Sequence, residues 1–146
     1  MINDDKNRKS ATFSIRGVQR DIDGEESVIE LITEGDIIFK DDCVLLKYEE
    51  SEFSGMFGVT TNLEIRKDSV SMVREGSSSV EMFFEKGKQF QTRYNTPYGG
   101  LSMQVFGSNV DHKIDECGGF LRLDYILAVE GANSVSNSLC MDIKVK

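Results

Sequence analysis

From Ala11 to the C-terminus, hydrophobic side chains recur at every second position in run after run. That period is the strongest constraint on the fold, because strand side chains alternate between two faces whereas a helix repeats about every 3.6 residues. The longest run sets Leu121, Leu123, Tyr125, Leu127 and Val129 on one face, with Arg122, Asp124, Ala128 and Glu130 on the other and Ile126 as the apolar exception outside. Leu139, Met141, Ile143 and Val145 alternate in the same way with Cys140, Asp142, Lys144 and Lys146. Further inward sets are Phe13 and Ile15; Ile29, Leu31 and Thr33; Val44, Leu46, Tyr48 and Glu50; and Val59, Thr61, Leu63 and Ile65. Val70, Met72 and Arg74, then Phe90, Thr92 and Tyr94, then Leu101, Met103 and Val105 continue the series. Val80 to Phe84 is apolar on both faces, and Phe83 is expected to pack outside, under a loop or the N-terminal segment.

Turn chemistry separates the runs at Asp23-Gly24, Lys40-Asp41-Asp42, Lys67-Asp68, Gly76-Ser77-Ser78, Lys86-Gly87-Lys88, Gly118-Gly119 and Gly131-Ala132-Asn133. Pro97 fits the second position of a type I turn in Thr96-Pro97-Tyr98-Gly99, a hairpin connection ahead of the strand that starts at Leu101. Short strands at this spacing, with no long amphipathic helix, indicate an all-β chain. A single antiparallel, largely up-and-down β-barrel of roughly 8 to 10 strands is expected, since closure removes exposed sheet edges. Residues 1–10 are polar and charged and are expected to form a disordered tail ahead of one barrel domain over 11–146.

Composition narrows the partners. Twenty-five acidic against seventeen basic residues give a net charge of -8, which repels phosphate backbones and anionic headgroups, so neither nucleic acid nor membrane is an expected partner. Cys43, Cys117 and Cys140 are too few and too irregular for a disulfide framework and are read as reduced thiols of a cytoplasmic protein. No secretory leader pattern opens the chain. The sequence does not set the oligomeric state.

Within the alternation, Arg74 breaks the rule. It falls on the face that Val70 and Met72 mark as inward, and a guanidinium keeps its charge, so an inward one needs an acidic partner, a ligand or water. The same reading projects Glu50, Tyr48, Tyr94, Thr92, Thr61 and Thr33 into the barrel with it. Glu50 is the expected charge partner of Arg74, with Tyr94 donating a hydrogen bond to the pair. Two readings of this set stay open: a closed structural network, or the polar part of a small-molecule site in an otherwise apolar enclosure.

Catalytic signatures are missing. His112 is the only histidine and sits in the charged Asp111-His112-Lys113, read as a hairpin; Ser77-Ser78-Ser79 lacks the spacing of a nucleophile elbow. No phosphate-binding glycine motif and no metal-ligand spacing occurs, so no cofactor and no metal are expected. Glu50 is the only inward acidic residue where carboxylate hydrolysis normally needs two. The loop Glu52 to Gly58 carries Phe53, Met56 and Phe57, which could plug the barrel mouth, gate it or meet a partner.

Six stretches carry a family likeness: Glu30-Leu31-Ile32-Thr33-Glu34-Gly35, Tyr48-Glu49-Glu50-Ser51, Gly58-Val59-Thr60-Thr61, Val73-Arg74-Glu75-Gly76, Tyr94-Asn95-Thr96-Pro97-Tyr98-Gly99 and Tyr125-Ile126-Leu127. On these, the chain resembles the YwiB-like family of small bacterial proteins of unknown function. That resemblance implies a calycin-type, lipocalin-like β-barrel over about Phe13 to Val145 and implies no activity. Secreted lipocalins usually place a tryptophan after a first-strand glycine; here Gly17 is followed by Val18 and Gln19, and the chain has no tryptophan. The functional expectation is a small-molecule-binding barrel, against a protein-protein interaction or structural module acting through the acidic surface or the 52–58 loop, and against an uncharacterised enzyme.

Overall fold

The computed structural model describes residues 7–49, 58–77 and 79–146. Ten strands follow the alternation: β1 (Arg8–Arg20), β2 (Glu26–Phe39), β3 (Val44–Glu49), β4 (Thr60–Ile65), β5 (Ser69–Glu75), β6 (Val80–Glu85), β7 (Gln89–Thr96), β8 (Gly99–Asp115), β9 (Gly118–Val129) and β10 (Val135–Val145). All pairings are antiparallel, and the strand order is β6-β5-β4-β3-β2-β1-β10-β9-β8-β7. Successive strands are therefore neighbours, β1 pairs with β10, and the sheet curls into a nearly closed barrel.

A seam remains between β6 and β7, the two ends of that order. Among the described residues one bridge spans it, in which Ser79 and Asn95 exchange backbone hydrogen bonds of 2.9 Å each. At the other end the Gly87 N–H donates to the Gly107 carbonyl at 2.8 Å, and the Gly107 N–H donates to the Lys88 carbonyl at 3.0 Å. Gly107 is buried at this crossing, where a Cβ would stand 2.6 Å from the Glu85 carbonyl oxygen. Phe83, expected under a loop, is half-buried with its ring 5.9 Å from that of Phe90 on β7. The seam is thus held by backbone hydrogen bonds at its two ends and by the Phe83–Phe90 contact rather than by a continuous ladder.

Two boundaries differ from the sequence reading. β1 begins at Arg8, so Arg8, Lys9 and Ser10 belong to the barrel rather than to a tail; they pair with Ile38, Ile37 and Asp36 of β2. β8 runs on to Asp115, and His112 lies within it instead of in a hairpin, its Nε2 3.0 Å from the Lys67 carbonyl oxygen. The reason is a bulge between Gly107 and Asn109. An extra residue in one strand reverses which parity points inward. Met103, Val105 and Gly107 are the buried positions before the bulge, while Val110, His112 and Ile114 are the more covered ones after it.

Side chains fill most of the interior. Phe13, Phe84, Leu46, Leu63, Met72, Leu121, Leu123 and Met141 are essentially inaccessible, which makes the barrel a packed core along much of its length. On the outer face, Asp124 of β9 joins three strands: its carboxylate accepts from the Ser138 hydroxyl at 2.5 Å, from Arg122 Nε at 3.0 Å and from the Asn109 amide at 3.5 Å. Burial pushes the Asp124 carboxyl up, but these donors outweigh it and hold it below its usual range. Cys43, Cys117 and Cys140 are free thiols, and Cys43 is buried.

Candidate functional site

Cross-strand register gathers the polar interior residues into a row. Gly35 of β2 stands opposite Tyr48 of β3, Tyr48 opposite Thr61 of β4, and Thr61 opposite Arg74 of β5. Directly opposed residues on one face lie about 5 Å apart at Cβ, so each touches the next. Thr61 is fully buried and Tyr48 nearly so. Gly35 makes room for this arrangement: a Cβ there would stand 2.1 Å from the Lys47 carbonyl oxygen and 2.9 Å from the Phe13 ring. In its absence the Phe13 and Tyr48 rings pack at 5.6 Å and 45°.

Arg74 ends the row, half-buried, with its Nε fully enclosed. It lies near the barrel end where β5 runs out at Glu75, β1 at Arg20, β3 at Glu49 and β9 at Val129. Here the packing stops short and leaves a cavity of about 200 Å³. Its wall combines apolar Ile15, Ile29, Leu31 and Leu139 with Tyr48, Tyr125 and Arg74. Among the described residues that line it, Arg74 is the only charged one. Gly17 also lines the cavity, and a Cβ built on it would meet nothing within 4 Å.

A second polar row closes the opposite side. Ser27 stands across from Gln19, Gln19 from Asn137, and Asn137 from Tyr125, and all four line the cavity. Tyr125 is anchored from below by Phe84, with ring centroids 4.8 Å apart at 56°. Burial raises its phenol above the ordinary tyrosine range, and the positive charge of Arg74 opposes that rise.

The expected site set is only partly assembled. Arg74 and Tyr48 line the cavity, and Thr61 links them from β4. Thr33 of β2, opposite Phe13 of β1, opens instead onto a hollow with Glu34, Lys47 and Glu49 that Tyr48 also lines. Thr92 belongs to a groove of about 350 Å³ along the seam, which reaches Arg74 from the other side and is also lined by Ser79, Glu81, Arg93 and Asn95. Tyr94 packs against the core and does not line the cavity, and the Glu50–Arg74 pair it was expected to serve lies partly outside the described residues. β7 carries both residues, and β7 lies across the seam from β6. Glu50 and the plug or gate residues Phe53, Met56 and Phe57 lie outside the described residues.

Tyr125, Gln19, Ser27 and Asn137 were missed as site residues. Alternation reaches all four: Tyr125 belongs to the inward set of β9, one step before Leu139 gives Asn137, one step before Ile29 gives Ser27, and Ile15 leads through Gly17 to Gln19. Among the described residues, no group of three or more His, Cys, Asp and Glu side chains is placed to hold a metal ion.

The model for the domain of unknown function DUF1934 matches residues 13–141. The chain belongs to this family. The DUF1934 barrel is 26% identical over 124 residues to the uncharacterized β-barrel protein YwiB of Bacillus subtilis (strain 168), covering 85% of each chain. It also matches the crystal structure of the ywiB protein from Bacillus subtilis with a TM-score of 0.85 at 21% identity, over 96% of this chain and 94% of that one. The two chains thus share the β-barrel fold.

Proposed function

We propose that the DUF1934 barrel binds a small molecule in the cavity at its Arg74 end. One observation carries this reading: a wall that is apolar at Ile15, Ile29, Leu31 and Leu139 holds a single charged side chain among its described residues, together with two phenols. Burial on an apolar wall supplies binding energy, and a few placed polar groups supply orientation. The packed remainder of the barrel supports the reading from the other side, because a cavity confined to one end of a close-packed core is a local departure.

Gly17→Leu provides the test. The substitution grows a side chain into the cavity from a strand position with open space around it, and replacing a strand glycine removes an entropic cost of folding. Native mass spectrometry of the purified protein is expected to show an added mass that is released on unfolding and is missing from Gly17→Leu, while the variant melts no lower than the wild type. If the wild type carries nothing, or Gly17→Leu carries the same mass, the cavity is not the binding site.

A further inference from the structure

We infer that Tyr125 and Asn137 form the polar subsite of the cavity, and that the small molecule held there carries a hydrogen-bond acceptor beside a donor, as a lactam or a short amide does; the inference rests on the small-molecule reading above. Register sets the pair. Tyr125 of β9 and Asn137 of β10 stand directly opposite each other and both line the cavity, so their Cβ atoms lie about 5 Å apart on one face. Tyr125 is the donor. Its ring is fixed against Phe84 at 4.8 Å, but among the described residues its hydroxyl has no hydrogen-bond partner: beyond the ring contact it feels only the charge of Arg74. A covered phenol ordinarily finds a partner, and this one opens on the cavity. Burial keeps it protonated through neutral pH, so it has a proton to give.

Asn137 is the acceptor. Its amide N–H donates to the Val135 carbonyl of its own strand at 3.3 Å, which leaves the side-chain oxygen, on the other arm of the planar amide, free to accept. Gln19 and Ser27 continue the row toward the mouth and are exposed, so water serves them. Neither role calls on Arg74, Tyr48 or Thr61, which have partners of their own. A carboxylate brings acceptors alone and an ammonium donors alone, whereas an amide sets a C=O and an N–H on adjacent atoms, one for Tyr125 and one for Asn137. The apolar wall of Ile15, Leu31 and Leu139 suits a carbon body, and the volume of about 200 Å³ lies below the roughly 300 to 1,000 Å³ of pockets for drug-sized ligands. The ligand is therefore compact, with one polar edge.

The experiment titrates caprolactam and cycloheptanone, rings of equal size that differ by the N–H, into the full chain, Tyr125→Phe, Asn137→Leu and Gly17→Leu, followed by NMR shifts. Tyr125→Phe is expected to weaken both probes about fivefold, the size of one neutral hydrogen bond. Asn137→Leu should weaken caprolactam by a similar factor and leave cycloheptanone no weaker, and Gly17→Leu should abolish binding of both. Tyr125→Phe should also melt no lower than the wild type, because the ring stays on Phe84 and the hydroxyl holds nothing inside the protein. If Asn137→Leu does not fold, N-methylcaprolactam on the wild type tests the same bond, with binding at least about fivefold weaker than caprolactam expected. A clearly lower melting point for Tyr125→Phe, or equal loss of both probes in Asn137→Leu, overturns the assignment. Unchanged affinities in Tyr125→Phe, with Gly17→Leu still blocking both probes, overturn it and leave the binding reading standing. Failure of both probes on the wild type overturns it as well, and the native mass measurement then decides the binding reading separately.

Discussion

Gly35 shows how a missing side chain can place a present one. The Tyr48 ring lies against Phe13 because nothing projects from Gly35 between β1 and β3. Gly35→Ala would drive a methyl group against the Lys47 backbone carbonyl and the Phe13 ring, neither of which can yield without moving a strand. The expected loss is about 1 to 3 kcal/mol, the range for overpacking a core, measured as a lower urea midpoint with unchanged slope. At this scale the sequence was informative where a residue violated its pattern. Arg74 announced itself between Val70, Met72 and the turn, and its inward, half-buried position follows that reading. Gln19 and Asn137 continue the inward parity but carry no signal beyond it, because each lies past the last hydrophobic residue of its run and polar residues at strand ends are ordinary. Tyr125 was legible as a core position only, since a tyrosine in an inward set has no feature that separates packing from ligand contact.

Single elements behave differently from single residues, because a strand can be correct in type and wrong in extent. β8 illustrates this: its first half follows period two, and the bulge after Gly107 reverses the pattern, so the second half read as a charged turn. Bulges carry little local sequence signature beyond a glycine, and this one was visible only through its effect on parity. The same region supplies a pH-dependent contact. Asp124 ties β9 to Ser138 of β10 and Asn109 of β8, and its folded carboxyl lies below the unfolded value of about 3.9. A depressed carboxyl contributes stability that is fully present above the unfolded pKa and is lost as pH falls through the folded one. Urea unfolding followed from neutral pH into the acid range should therefore show a decline below about pH 4 that is shallower in Asp124→Asn than in the wild type. Equal acid slopes for the two proteins would show that the three-strand junction contributes nothing to acid sensitivity.

Viewed whole, the molecule was legible in architecture and only partly in its site. Ten alternating runs with short turns between them leave few topologies, and antiparallel neighbours in chain order are the simplest. A cavity is harder to foresee, since it is set by what ten strands jointly fail to fill, and whether Leu31 meets Leu139 or empty space depends on strand tilt and stagger. The seam has a consequence of another kind. Because β1 pairs with β10 and the Lys146 N–H reaches the Ser10 carbonyl at 2.9 Å, the start of β1 and the end of β10 lie side by side on fully laddered strands, while the interrupted ladder falls between β6 and β7. Joining Lys146 to Arg8 by a short linker and cutting at Lys86-Gly87-Lys88 would give a chain that starts at β7 and ends at β6. Its strands would then follow one another around the sheet in unbroken sequence order, with the new termini on either side of the seam. Such a circular permutant is expected to fold to the same barrel, with matching circular dichroism and the same cooperative unfolding transition; a molten or aggregated product would mean that the β6 to β7 turn, and not the ladder, holds the barrel closed. The natural chain, on this view, is a linear meander whose ends happen to be stitched in the middle of the cloth.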